Sequence, residues 1–227
     1  MPSDDMFHEK QYLMHCAVHT LNNLFQESWV TASLMEDIAK ELFNREASMR
    51  KESGMGRMWV NPYKSVVPQV GYYDINCLLE ALKLKKCHVS LHAVFNLKEP
   101  NAVAKSLEHL DPSLGGVVRG IVVNRMSKSL LGGLYTTHHF YAIISYKGEG
   151  VCIGGDGMAW YVVDSKADSP EIIGSAAELA LHLGMEAREH QGHVFVVSDG
   201  ECEVMAGDGG GGGGGDSGKE EEKTAGG

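Results

Sequence analysis

His8-Glu-Lys-Gln11-Tyr-Leu-Met-His15-Cys16-Ala-Val-His19-Thr-Leu21-Asn22-Asn23-Leu24-Phe25 is the stretch from which the rest of the chain can be read. Ala17, Val18, Leu21, Leu24 and Phe25 recur at helical spacing, which predicts a helix that ends near Gln26 and has Cys16 at or near its start. A helix start offers free amides and the positive end of the backbone dipole, and both favour a thiolate. Gln11, five residues earlier, carries an amide that can donate to an oxyanion, and with the Cys16 backbone N–H it would form a two-donor hole. A buried packing cysteine beside a surface glutamine fits the same residues, so spacing alone leaves both readings open.

Outward from this stretch, Ser33-Leu-Met-Glu36 resembles a capping box opening a second helix, with Leu34, Ile38 and Leu42 along one face. Residues 44–71 mix charges, glycines, two prolines and scattered apolar side chains, which predicts a loosely structured or helical-hairpin excursion. Asp74 can cap a third helix bearing Ile75, Leu78, Leu79 and Leu82 on its face. Strict alternation through Cys87, Val89, Leu91, Ala93 and Phe95 then signals a strand. Further β-type runs occupy 117–124, 139–146, 159–163 and 194–197, with a helix at 176–183. Helices gather in the first half and strands in the second, so the expected class is α+β.

The length of 227 residues suits one substantial core. Residues 1–205 are expected to form that domain. Residues 206–227, which hold seven consecutive glycines and Lys219-Glu-Glu-Glu-Lys223, are expected to be a disordered tail, since such a composition does not repay the entropy of ordering. Thirty acidic against twenty basic residues give a net charge of −10, which opposes phosphate neutralisation and argues against nucleic acid or an anionic membrane as partner. No run approaches the roughly 20 apolar residues of a membrane span, and the first residues are too polar for a secretory signal, so the cytosol, and the nucleus as a second compartment, are the expected locations. The five cysteines make no C-x-x-C pair and no dense scaffold pattern, and read as reduced thiols.

Two further segments can carry chemistry with Cys16. In Thr136-Thr-His138-His139-Phe-Tyr-Ala-Ile-Ile-Ser-Tyr146, His139 and Tyr141 fall on one strand face and His138 and Phe140 on the other. Trp160-Tyr-Val-Val-Asp164-Ser-Lys166 is a strand ending in an acid that could accept an imidazole N–H, set its tautomer and stabilise its cation. Each also has a plain reading, His139 as a core or edge histidine and Asp164 as a turn former. Cys16-x-x-His19 and His138-His139 have ligand types at short spacing, but no second pair completes a zinc site, so neither metal nor cofactor is expected.

Gln11 spaced five residues before Cys16-Ala-x-His19-x-Leu21-Asn22-Asn23, after His8-Glu-Lys, resembles the N-terminal signature of Josephin-domain deubiquitinases. Gly71-Tyr-Tyr-Asp-Ile-Asn76 followed by Ala81-Leu82, His139-Phe140, and Trp160-Tyr-Val-Val-Asp-Ser-Lys166 with Pro170-Glu171 and Gly174 extend the likeness, which covers about residues 7–199. The resemblance implies a papain-like fold, N-terminal helices on a mostly antiparallel sheet, and hydrolysis of the bond after ubiquitin's C-terminal glycine. By position it makes Cys16 the nucleophile, His139 the general base and then acid, Asp164 its orienter and Gln11 an oxyanion donor. Ile75 and Asn76 match positions at which a long member holds ubiquitin, whereas Lys85 stands where that member has tryptophan. Phe140 replaces a usual tryptophan, Val162 stands where many members have asparagine, and His138 offers an imidazole one position early. The implied partners are ubiquitin and ubiquitinated proteins, and a monomer is expected. A ubiquitin-binding module with little turnover and a papain-like hydrolase of another amide are the competing readings.

Overall fold

The computed structural model describes residues 5–56, 59–65, 71–91, 118–128, 136–147, 158–190 and 193–199. Helix α1, Cys16–Phe25, is buried along its length from Cys16 to Leu24. It ends where Gln26 turns left-handed at φ 56° and donates its N–H back to Asn22 and Asn23. Helix α2, Ala32–Glu52, starts at Thr31, whose hydroxyl accepts the Leu34 N–H. The expected Ser33 cap is therefore replaced by a cap two residues earlier, and Glu36 turns instead to Lys64 and to the Tyr73 hydroxyl. The buried stripe of α2 is Met35, Ile38, Ala39 and Leu42, with Leu34 only partly covered. Residues 44–52, expected to belong to the excursion, continue this helix, stabilised by the Arg50–Glu46 pair one turn apart.

Helix α3, Ile75–Leu84, is capped by Asp74, whose carboxylate accepts the Asn76 N–H at 2.9 Å. Strand β1, Cys87–Leu91, follows; the predicted alternation through Ala93 and Phe95 lies outside the described residues, as does the predicted tail. Strands β2, Val118–Lys128, β3, Thr136–Lys147, β4, Met158–Val163, and β5, Glu171–Gly174, precede helix α4, Ala176–His190, and strand β6, His193–Asp199. The helix expected at 176–183 thus runs two turns longer, opened by a reciprocal box in which Ser175 and Glu178 each take the other's N–H.

The six strands form one sheet in the order β1-β6-β2-β3-β4-β5, every pair antiparallel. Its two faces are separated by strand parity. Val122, Phe140, Ala142 and Ile144 pack with α1, α2 and α3, while Ile121, Val123, Tyr141 and Ile143 pack with Leu179 and Leu183 of α4. The α+β arrangement is as expected, with one helix on the far face. No helix among the described residues is long and apolar enough to cross a membrane.

Candidate active site

Three parts of the chain meet where α1 begins. The N–H groups of Phe140 and Ala17 both face the Cys16 sulfur, and Asp164 and Lys166 are close enough to act on its charge. Burial is the largest influence and pushes the thiol above its ordinary 9.0; the two N–H groups and Lys166 work the other way. His15, at the helix N-cap, makes no side-chain cap, and the first turn holds no acid, so the amides at this end of α1 are left without a competing carboxylate.

His139 lies three residues inside β3, which begins at Thr136 and not at the expected 139, and is 7% exposed. Its Nε2–H donates to Asp164 Oδ1 at 2.7 Å. The other ring nitrogen, Nδ1, is buried and has no hydrogen-bond partner among the described residues. The ring is therefore fixed at one nitrogen and available at the other. Burial opposes the Asp164 charge, but the His139 hydrogen bond, the Lys166 N–H and the neighbouring charges hold its carboxyl below the ordinary 3.8. A depressed carboxyl stabilises the fold above its unfolded value and loses that contribution as pH falls through its folded value. His138 is occupied elsewhere, its Nδ1 3.3 Å from Asn124 Oδ1 and its ring edge-on to Tyr72. Asp164 thus selects His139 of the two adjacent imidazoles.

Gln11 reaches this place because residues 7–11 are stitched to both sides. Phe7 N–H donates to Gln26 Oε1 at 3.0 Å, Glu9 N–H to Asn23 Oδ1 at 2.7 Å, and Asn22 Nδ2 to Glu9 Oε2 at 2.6 Å. On the other side Gln11 N–H donates to Ser165 O at 2.8 Å, and His8 Nε2 lies 2.9 Å from Asp164 O. The Gln11 side-chain amide donates to Leu13 O at 2.6 Å, within a turn that holds Leu13 at φ 54°. The Gln11 amide is thus committed to Leu13 O, and the oxyanion role expected of it would require that bond to be exchanged. His19 is a scaffold residue too: Tyr12 N–H donates to its Nε2 at 3.2 Å, and Nδ1 lies 3.4 Å from Glu9 Oε2. Nε2 is engaged by the Tyr12 N–H, whereas the buried Nδ1 has no hydrogen-bond partner among the described residues. Among the described residues there is no cluster of three His, Cys, Asp or Glu able to hold a metal.

Tyr72 and Gly71 were not singled out as site residues by sequence. Burial above all, then Asp74 and the Cys16 sulfur, push the Tyr72 phenol up, and its ring lies edge-on to His138. Gly71 sits at φ +82°, and a Cβ there would come within 2.5 Å of the His15 ring, so only glycine lets this segment close over the α1 start. The aromatic pair in the Gly71-Tyr-Tyr motif was the available signal. Ile75 and Asn76 lie just beyond this segment at the α3 start, Ile75 partly buried against the core and Asn76 exposed. Lys85 rests on Trp29 and Phe25, its Nζ 4.8 and 5.4 Å from the ring centroids, and pairs with Glu27 at 2.5 Å.

A thiol at an uncapped helix start, met by the N–H of Phe140, with the preceding residue's imidazole held by a carboxylate on an antiparallel sheet, fits the papain-like class. Residues 11–198 match the Josephin family, and the chain belongs to that family, whose domain is of the cysteine-protease, deubiquitinase type. A Josephin-like protein of Arabidopsis thaliana is 28% identical over 169 residues, 74% of this chain and 40% of that protein. The chain therefore spans well under half of the Arabidopsis relative. A Drosophila melanogaster Josephin-like protein is 24% identical over 206 residues, 87% of this chain and 76% of its own length. Mouse Josephin-2 is 27% identical over 172 residues, 74% of this chain and 73% of its length.

Proposed function

We propose that this protein is a cysteine-dependent deubiquitinase, which hydrolyses the isopeptide bond after the C-terminal glycine of ubiquitin through a thioester. The observation that carries the reading is the His139 ring, anchored at Nε2 by Asp164 and left with a buried, unpartnered Nδ1 beside the strand amide that meets the Cys16 sulfur. Because burial favours the neutral thiol, Nδ1 takes its proton as the sulfur attacks the carbonyl carbon. The oxygen of the tetrahedral adduct accepts from the Cys16 N–H and from the Gln11 amide once that has left Leu13 O. His139 then protonates the departing lysine amine, and water, activated by the same nitrogen, releases ubiquitin from the thioester.

Asp164 orients the ring in this scheme, so its effect depends on whether an acceptor remains. Asp164→Ala should lower kcat about 100-fold. Asp164→Asn should cost about 10-fold, since an amide oxygen still accepts the Nε2–H but no longer stabilises the cation. Steady-state kinetics of the two variants check this, and equal losses would remove the orienting role.

A second reading, a ubiquitin-binding module with little turnover, is favoured by the Gln11 amide being donated to Leu13 O and by the raised Cys16 thiol. Substrate comparison separates the possibilities. A fluorogenic amide on the C terminus of intact ubiquitin should be cleaved with kcat/KM at least about 100-fold above that of a short peptide amide, because remote contacts with ubiquitin lower the barrier. Binding without release would establish the module, and equal rates on both amides would indicate a general papain-like hydrolase.

A further inference from the structure

The face of the sheet opposite α1 carries a polar network that the mechanism above does not use. His139 and Tyr141 are two residues apart on β3 and share this face, their rings stacked with centroids 6.4 Å apart and planes at 30°. Arg125 on β2 stands directly opposite His139 in the ladder. Its guanidinium carbon lies 5.1 Å from the Tyr141 ring centroid, a cation over an aromatic face. From α4, Glu186 grips the guanidinium with both carboxylate oxygens, the Nε to Oε2 bond being 2.9 Å. His182, one turn earlier on α4, is 3.4 Å from the Tyr141 hydroxyl, and burial lowers its pKa, so the neutral ring can accept the phenol proton.

Stability alone is a poor account of this arrangement. Glu186 is 5% exposed, and a buried ion pair generally returns no more stability than well-packed apolar side chains of the same volume. What the network does provide is a fixed surface behind an imidazole. A single hydrogen bond from Nε2 to Asp164 sets one direction and leaves the ring plane free to pivot about it, which swings Nδ1 away from the sulfur. A rigid ring packed against the imidazole removes that freedom.

We infer that Arg125, Tyr141 and Glu186 are positioning residues for His139: the Arg125–Glu186 pair clamps Tyr141, and Tyr141 fixes the plane of the imidazole between Asp164 and Cys16. The inference rests on Cys16 and His139 being the reacting pair. Its effect falls on kcat and not on KM, because the network lies on the far face of the sheet from α1 and holds the base, not the substrate.

The test uses the full chain, with three measurements on each variant: kcat and KM on the ubiquitin C-terminal amide, the rate at which iodoacetamide alkylates Cys16, and the thermal melt. Tyr141→Leu, and separately the double variant Arg125→Met with Glu186→Leu, should melt cooperatively, lose about 10- to 100-fold in kcat and in alkylation rate, and keep KM within about twofold. The double change removes both charges together, so no uncompensated buried charge is left to unfold the domain. The conservative Tyr141→Phe keeps the ring and should recover most of the loss. Wild-type kcat and alkylation in the folded Leu or double variant overturns the inference, as does a loss confined to KM. Should one variant fail to fold, the Leu-against-Phe comparison or the double variant decides on its own, and equal loss in Phe and Leu also overturns it. Alkylation of wild-type Cys16 no faster than in His139→Ala would instead defeat the underlying assignment of the reacting pair.

Discussion

Replacing Cys16 with alanine is expected to lower hydrolysis of the ubiquitin amide by about 10⁴-fold or more, to background, while the fold survives. Loss of a covalent nucleophile removes the thioester route altogether, and no other described thiol can replace it. Cys77 is fully buried, its sulfur donates to Tyr63 O, and burial pushes its thiol up to about 12. Cys87 is on the edge strand β1, with burial and Asp199 raising its thiol. One sulfur exchanged for hydrogen in a small buried side chain costs about 1 kcal/mol, within reach of an otherwise intact core. Progress curves and a circular-dichroism melt on the same preparation check both halves. Activity that persisted in the alanine variant would place the nucleophile elsewhere and dissolve the mechanism.

His139→Ala should cost about 10³- to 10⁴-fold in kcat, since the same nitrogen serves first as base and then as acid. His138→Ala is the informative control and should stay within about 10-fold of wild type, because that ring is engaged by Asn124 and Tyr72 and not by Asp164. The pH dependence of the His139→Ala variant has a defined sign. Without a neighbouring base the attacking thiolate must form by direct ionisation, and burial has raised that thiol above 9.0, so residual activity should keep rising through pH 9 instead of levelling off below it. A residual rate that is flat above neutrality, or a larger loss in His138→Ala than in His139→Ala, contradicts the assignment.

The elements that were readable in advance are those whose burial is one-sided or complete over a long enough run. Helix α1 announced itself through Ala17, Val18, Leu21 and Leu24, all of which are buried, and α3 through its Asp74 cap. β2, β3, β4 and β6 were legible as β-type runs, because both faces of these strands are packed and so both sets of side chains are apolar. Strand β5 was missed for a physical reason: in Glu171-Ile-Ile-Gly174 at the sheet edge, Ile172 is exposed and Ile173 only partly buried, so alternation carries no signal. The α2 start differs from the expected one because Thr31 and Ser33 are both competent cap residues, and it is the Thr31 hydroxyl that accepts the Leu34 N–H. Glu36, the apparent partner of Ser33, was drawn away by Lys64 and Tyr73, which arrive from elsewhere in the chain.

Sequence by itself determined which groups are available: a cysteine at a helix start, an imidazole on a strand, a carboxylate at a strand end, and the alternation that makes two sheet faces. Tertiary structure decided that Asp164 takes Nε2 of His139 and not His138, that the N–H of Phe140 meets the Cys16 sulfur, that the Gln11 amide rests on Leu13 O, and that Arg125, Tyr141 and Glu186 gather beside the imidazole. The reason lies in range. Helical and strand periodicities relate residues two to four positions apart and leave their mark locally, whereas the neighbours of a catalytic side chain are set by strand order and register between distant segments.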